Sequence, residues 1–399
     1  YEIGTGDWSS DVCSSDLHYT LSTLSKVTVQ FVLLVLFALG ANGQSQAPPD
    51  SLDPIALEQK IGQMIMVGIR GTHLNADAME MTRSQILNGG IGGIIFFKHN
   101  IKNSRQFRIF VKSLKALPVD QPLLLAVDEE GGLVRRLRKN QGFDEFPSAA
   151  HVGANLSTDE SYDLYSRMAD QIHQAGLNLN LAPVVDVNIN RISPAIGQLN
   201  RSFSRNPGDV FDYSEAFIRA HNDAGVLSTL KHYPGHGSSR EDSHNGITDI
   251  TSTWRSSEQV PFQRLIDSAK VDMIMAGHLM DKGVDSKYPA SISNSHIQIT
   301  LRGEMGFTGV VITDDLQMGA VIKRFELEEI VIAAVNAGCD ILQFSDPLDL
   351  DENLSQRIKE IILQAIESGQ VDPQRIHESY ARIIDLKSRL SPSLNPTSD

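Results

Sequence analysis

Cysteine is nearly absent from this sequence. There are two in 399 residues, Cys13 and Cys339. Cys13 falls in a leading segment set aside below, so no internal disulfide is expected and the fold must rest on its core. No apolar run reaches the roughly 20 residues needed to span a bilayer. The longest, Phe31 to Ala41, is followed at once by Gln44-Ser45-Gln46. Positive charge is also scarce. The formal net charge is −14, which argues against nucleic acid as a partner. No Walker or Rossmann glycine spacing occurs, and the H-x-x-x-H spacing of His232 and His236 is interrupted by Pro234-Gly235, which would break the helix a metal site of that pattern needs.

The two ends read as separate from the fold. Residues 1–17, YEIGTGDWSSDVCSSDL, resemble translated sequencing adapter and carry no apolar period. Residues 18–43 read as a signal peptide. Lys26 precedes the apolar core, and Ala41-Asn42-Gly43 gives small residues before Gln44. Export to the periplasm or the extracellular space is expected, with no membrane span after cleavage. Residues 44–52, with Pro48-Pro49, read as a linker. Residues 53–390 are expected to form one domain, and 391–399 a disordered tail.

Within that domain short apolar runs alternate with amphipathic segments. Strands are predicted at 64–69, 93–97, 123–127, 178–182, 226–230, 272–276, 309–313 and 340–344. Their continuous apolarity suits strands buried on both faces of a parallel sheet. Helices are predicted at 105–117, 162–175, 210–222, 258–269, 327–337, 354–368 and 373–390, several stopped by glycine (Gly176, Gly225, Gly338). Eight such units fit an α/β fold of the (β/α)8 TIM-barrel type. An open doubly wound sheet is the rival. The barrel is preferred because polar clusters follow several different strands, and a closed ring gathers those ends on one face.

The stretch Lys231 to His244, KHYPGHGSSREDSH, concentrates the chemistry. Pro234 and Gly235 shape a loop. Asp242 stands two residues before His244, where a carboxylate can orient an imidazole and favour its charged form. Asp314 stands where Val310-Val311-Ile312-Thr313 gives way to polar residues, a rigid place for a nucleophile. Its neighbour Asp315 suits a helix cap. Asp128 leads the run Asp-Glu-Glu-Gly-Gly and can accept bidentate hydrogen bonds from vicinal hydroxyls, with Arg136, one to two helical turns on, as a donor fork. Arg201 follows a long loop, where it either binds ligand or pairs with Asp186 as a brace. A zinc site at His232, His236 and His244, a phosphate cradle at Gly131-Gly132 and a sugar-binding protein without catalysis stay open at this point.

The chain from about Gln59 to about Ile384 resembles glycoside hydrolase family 3, in its β-N-acetylhexosaminidase branch. The most specific match is KHYPGHGSSREDSH, similar to KH-(F/S)-PGHG-x4-D-x-H. VDEEGGLVRRL, LAPVVDVN, AIGQLNRSF, MAGHLM with PASIS, and VITDDLQMGA support it. The resemblance implies a (β/α)8 barrel, here without the second α/β sandwich domain common in the family. It implies Asp314 as nucleophile, His244 as general acid/base and Asp242 as its partner. Asp128, Arg136, Arg201, Lys231 and His232 match sugar-binding positions. The implied activity is retaining removal of terminal β-linked N-acetylglucosamine from a carbohydrate substrate, with no metal and no organic cofactor. The alternative within the family is a β-glucosidase or β-xylosidase. Two departures stand out: Tyr233 replaces phenylalanine or serine, and Gln198-Leu199-Asn200 before Arg201 is looser than the family pattern.

Overall fold

The structure is a computed structural model that describes residues 54–243, 246–268, 271–345 and 353–390. The leader, the 44–52 linker, the 391–399 tail and His244 lie outside the described residues.

Eight parallel strands form the centre: β1 (Ile65–Gly68), β2 (Gly93–Phe96), β3 (Leu124–Val127), β4 (Leu179–Asn180), β5 (Leu227–Tyr233), β6 (Met273–Ala276), β7 (Val310–Thr313) and β8 (Leu342–Phe344). Neighbours pair in chain order, and β8 pairs back onto β1 with Ile65 opposite Leu342. A parallel bridge between Ile312 and Ile341 joins β7 to the start of β8, so the ring closes. Every strand residue is buried, as apolar runs covered on both faces must be. The barrel is therefore the observed fold, not the open sheet.

Helices clothe the ring because each presents an apolar stripe. In the helix Ser104–Lys115 the buried residues are Phe107, Phe110, Val111 and Leu114, at helical spacing. Phe107 and Phe110 meet Phe96 of β2 edge-on at 5.1 and 6.0 Å, geometry that suits aromatic quadrupoles. Asn103 starts this helix by accepting a hydrogen bond from the Gln106 amide. Ser157 and Glu160 form a capping box at the start of the helix Thr158–Gln174.

Two elements depart from expectation. β5 runs on through Lys231, His232 and Tyr233, residues whose polarity suggests a loop; they stay in the strand because the barrel mouth supplies them with ion and hydrogen-bond partners. The helix Ser295–Glu304 was not expected and is wound with wider, π-type hydrogen bonding, which removes the 3.6-residue apolar period.

At the opposite end of the barrel, Asp340 is fully buried and takes Arg302, Arg375 and Arg382 at 2.6, 2.8 and 3.1 Å. Arg375 and Arg382 belong to the last helix, Pro373–Ser388, so this cluster ties that helix to the start of β8. Beside it Cys339 is fully buried, its thiol donating to the Ser291 carbonyl at 3.2 Å. Among the described residues no helix is long and apolar enough to cross a membrane.

Candidate active site

The C-terminal strand ends carry one connected network of charge. Lys231, in β5, is buried and donates to Asp128 Oδ1 at 3.0 Å and Glu130 Oε1 at 2.7 Å. Asp128, just past β3, takes Arg136 Nη2 on its other oxygen at 2.9 Å. Glu130 receives Arg201 through two parallel bonds, Nε at 2.9 Å and Nη2 at 2.8 Å. Arg201 Nη2 also reaches His232 Nε2 at 3.2 Å. Guanidinium can only donate, so Nε2 accepts and the ring proton sits on Nδ1. That proton goes to Asp186 Oδ2 at 2.8 Å.

The backbone explains how these distant residues meet. Past the end of β4, Val184 still pairs with Lys231. This carries Asp186 alongside His232. Asp186 Oδ1 then accepts the amides of His232 at 3.2 Å and His236 at 2.7 Å, which fixes the first turn of the loop after β5. Arg136 is not on a helix, in contrast to the expectation. A tight turn with an antiparallel bridge between Gly131 and Val134 returns the chain toward Asp128. Gly131 has φ +87°, and a Cβ there would meet the Pro147 carbonyl oxygen at 2.3 Å, so only glycine fits.

Electrostatics follow from the pairing. Burial alone would raise the carboxyls of Glu130 and Asp128. For Glu130, Arg201 and Lys231 outweigh it and hold the group well below the usual carboxylate range. For Asp128, Lys231 and Arg136 do the same. Asp186 is likewise held low, by His232 and His236 against its burial. Burial would strip Lys231 of its proton, but Asp128 and Glu130 raise it above its ordinary value. Asp128, Glu130, Asp186 and Lys231 therefore all stay charged at neutral pH. Arg136 Nε is a buried donor without a partner among the described residues, a place where a ligand oxygen fits.

Asp314 follows β7 on the same rim, half-buried. Its amide donates to the Ala276 carbonyl at the end of β6, and its Oδ1 accepts the Asp315 amide at 2.8 Å. Asp315 Oδ1 takes the amides of Gln317 and Ser345, both at 3.0 Å, a tie between the exits of β7 and β8; it is not the helix cap expected of it, since the next helix, Gly319–Ile322, starts after Met318. Buried His278 braces the same turn, with Nε2 at 2.7 Å from the Asp315 carbonyl and Nδ1 at 2.6 Å from Ser291 Oγ.

The loop after β5 is pinned at its root. Gly237 lies so close to the preceding loop that a Cβ would stand 1.7 Å from the Val187 carbonyl oxygen. Asn190 Nδ2 donates to the Ser239 carbonyl at 2.8 Å, and the Ser193 and Ser239 hydroxyls meet at 3.0 Å. His236 lies beneath, its Nδ1 at 2.7 Å from Ser239 Oγ. Burial, followed by the nearby His232, lowers its pKa to about 4, so it is neutral near pH 7. Asp242 is half-buried and lines a cavity of about 420 Å³ with Pro194, Glu241, Gly246 and Ile247. Among the described residues no three His, Cys, Asp or Glu side chains converge as a metal site.

Of the sequence-derived residues, Asp128, Arg136, Lys231, Arg201 and His232 form one network. Asp314 lies at the strand end two places round the ring from β5. Asp242 lies in the loop after β5. The suggested pairing of Arg201 with Asp186 is replaced: Arg201 binds Glu130 and Asp186 binds His232. Glu130 is a hub that sequence reasoning passed over, and Asp186 one that it considered only as a partner of Arg201. The only hint was that each sits in a polar patch just after an apolar strand.

Comparison with known proteins agrees with this architecture. Residues 56–386 match the glycosyl hydrolase family 3 N-terminal domain. A beta-hexosaminidase of Tolumonas auensis is 36% identical over 283 residues, 70% of this chain and 81% of that protein. One from Stenotrophomonas maltophilia is 35% identical over 300 residues, 73% of this chain and 86% of that protein. Among solved structures, a family 3 beta-N-acetylglucosaminidase from Paenibacillus sp. superposes with TM-score 0.77 at 31% identity, covering 86% of this chain and 65% of that one. Beta-N-acetylhexosaminidase from Beutenbergia cavernae gives TM-score 0.75 at 27% identity, covering 83% and 98%. The chain belongs to glycoside hydrolase family 3 and is a glycoside hydrolase built on a (β/α)8 barrel.

Proposed function

We propose that the enzyme is a retaining exo-β-N-acetylhexosaminidase that removes terminal β-linked N-acetylglucosamine from cell-wall fragments or chito-oligosaccharides after export. The observation that carries this reading is the lattice of Asp128, Lys231, Glu130, Arg201 and His232 at the barrel mouth. It presents fixed, paired acceptors and donors suited to the hydroxyls of one sugar, with the Arg136 Nε donor unfilled. The names of the relatives support the hexosaminide, and the leader pattern supports export.

In this reading a carboxylate oxygen of Asp314 attacks the anomeric carbon as the glycosidic bond breaks. The leaving oxygen takes its proton from His244, and a glycosyl ester on Asp314 results. Neutral His244 then accepts a proton from water, whose oxygen displaces Asp314 with net retention. Asp242 favours the charged imidazole in the first step. A neutral base in the second step avoids placing another negative charge beside the nucleophile.

The test is a panel of aryl glycosides. Aryl N-acetylglucosaminides should be cleaved with kcat/KM at least about a hundredfold above aryl glucosides and xylosides, a floor below the roughly 10⁴-fold open to a site built to hydrogen-bond one extra polar group. A preference for the glucoside would establish the rival activity in the family. His244→Ala should slow substrates with poor leaving groups far more than nitrophenyl ones, because only the former need protonation. Equal, mild slowing of both would remove His244 from the acid/base role.

A further inference from the structure

Glu129 lies between the two site carboxylates, yet its side chain takes no part in the charge lattice. It is fully buried, and its backbone is clamped by Asn180 of β4. Asn180 Oδ1 accepts the Glu129 amide, and Asn180 Nδ2 donates to the Glu129 carbonyl, both at 3.0 Å. The Glu129 carboxyl in turn holds the returning chain. Oε2 accepts the backbone amides of Arg136 at 2.9 Å and Leu137 at 3.0 Å.

That grip matters because the other backbone ties of the return from Gly131 to Leu137 lie at its start, where the Glu130 amide donates to the Val134 carbonyl at 3.0 Å and the Gly132 amide to the Phe146 carbonyl at 2.9 Å. It contains no helix, and its ladder is the single bridge of Gly131 with Val134. Two consecutive amides there would lack acceptors without Glu129. Leu137 is fully buried beside them. From this fixed backbone the Arg136 guanidinium extends over the Phe97 ring, 5.5 Å from its centroid, and donates to Asp128 Oδ2. A shift of about an ångström at such a base is enough to misplace a contacting group. Burial also pushes the Glu129 carboxyl up to about 7, as befits a group placed for its hydrogen bonds and not for a charged partner.

We propose that Glu129 is a positioning residue for substrate affinity: its carboxyl fixes the Arg136 and Leu137 backbone so that the Arg136 guanidinium meets both Asp128 and the sugar. The inference rests on the sugar-binding reading of Asp128 and Arg136. A double-mutant cycle on an aryl N-acetylglucosaminide tests it, with thermal melts to confirm folding. Glu129→Ala and Arg136→Ala should each raise KM about tenfold, the worth of one charge-assisted hydrogen bond, with a smaller change in kcat. If Glu129 acts through Arg136, the double variant should also stay near about tenfold instead of reaching about a hundredfold. Glu129→Gln keeps the accepting oxygen and should restore KM to within about threefold of wild type.

Additive effects in the double variant, or an unchanged KM in Glu129→Ala beside a raised one in Arg136→Ala, would overturn the proposal alone. An unchanged KM in Arg136→Ala would overturn the binding role of Arg136 as well. Should Glu129→Ala fail to fold, Glu129→Asp carries the same cycle. It keeps a carboxyl but withdraws it by one methylene.

Discussion

Asp314→Asn is expected to lower kcat/KM by at least about a thousandfold, the usual scale for loss of a nucleophile, while the melting temperature stays close to that of wild type. The two halves of that expectation have separate physical grounds. An amide of the same shape keeps an oxygen for the Asp315 amide, and the backbone bond to Ala276 does not involve the side chain. The turn braced by His278 should therefore hold. What is lost is the negative charge and the lone pair that form the glycosyl ester. Steady-state kinetics beside a thermal melt would check both. A variant that folds normally and keeps more than about a tenth of wild-type kcat would remove Asp314 from the nucleophile role.

The second large effect belongs to Glu130→Ala. This carboxylate takes both forks of Arg201 and the Lys231 ammonium. Truncation leaves two buried cations with too few counter-charges. Breaking a buried pair in this way costs about 3–5 kcal/mol, and kcat/KM should fall at least about a hundredfold as Lys231 and Arg201 move. Glu130→Gln keeps the shape and removes only the charge, so it should fall between.

The pH dependence has a definite sign. The folded pKa of Glu130 lies below its ordinary value of 4.5. Its contribution to stability is then complete above about pH 4.5 and is lost as acid drives the pH down through the folded value. Asp128, ordinarily at 3.8 and also held low, adds in the same direction at slightly lower pH. Thermal melts across that acid range should show a steep decline in wild type and a shallower one in Glu130→Gln. Equal slopes for the two proteins would mean that the lattice does not hold Glu130 ionised.

Much of the barrel was legible from local pattern. The helix predicted at 327–337 has the same bounds in the structure, because Gly338 at φ +101° ends it with a left-handed residue. The strands were visible as unbroken apolar runs, although β4 proved only two residues long. Elements without an apolar signature escaped. Glu80–Leu87 has one buried apolar residue, Ile86, and the π-wound Ser295–Glu304 has no 3.6-residue stripe to read.

In the site, motif matching found Asp128, Arg136, Arg201, Lys231 and His232 as separate residues. What joins them was not visible, because Glu130 meets Arg201 across 71 positions of sequence and Asp186 meets His232 across 46. Such contacts are made by ring closure and by the pairing of Val184 with Lys231, and neither leaves a local trace.

The seclusion of Cys339 turns the wall of the barrel into its own clock. With no exposed surface and a thiol whose deprotonation burial strongly disfavours, it can meet an alkylating reagent only when the start of β8 swings away from its neighbours. The rate at which mass spectrometry finds the label at Cys339 therefore measures how often the ring breathes open. A tightly held sugar at the opposite mouth should slow that rate.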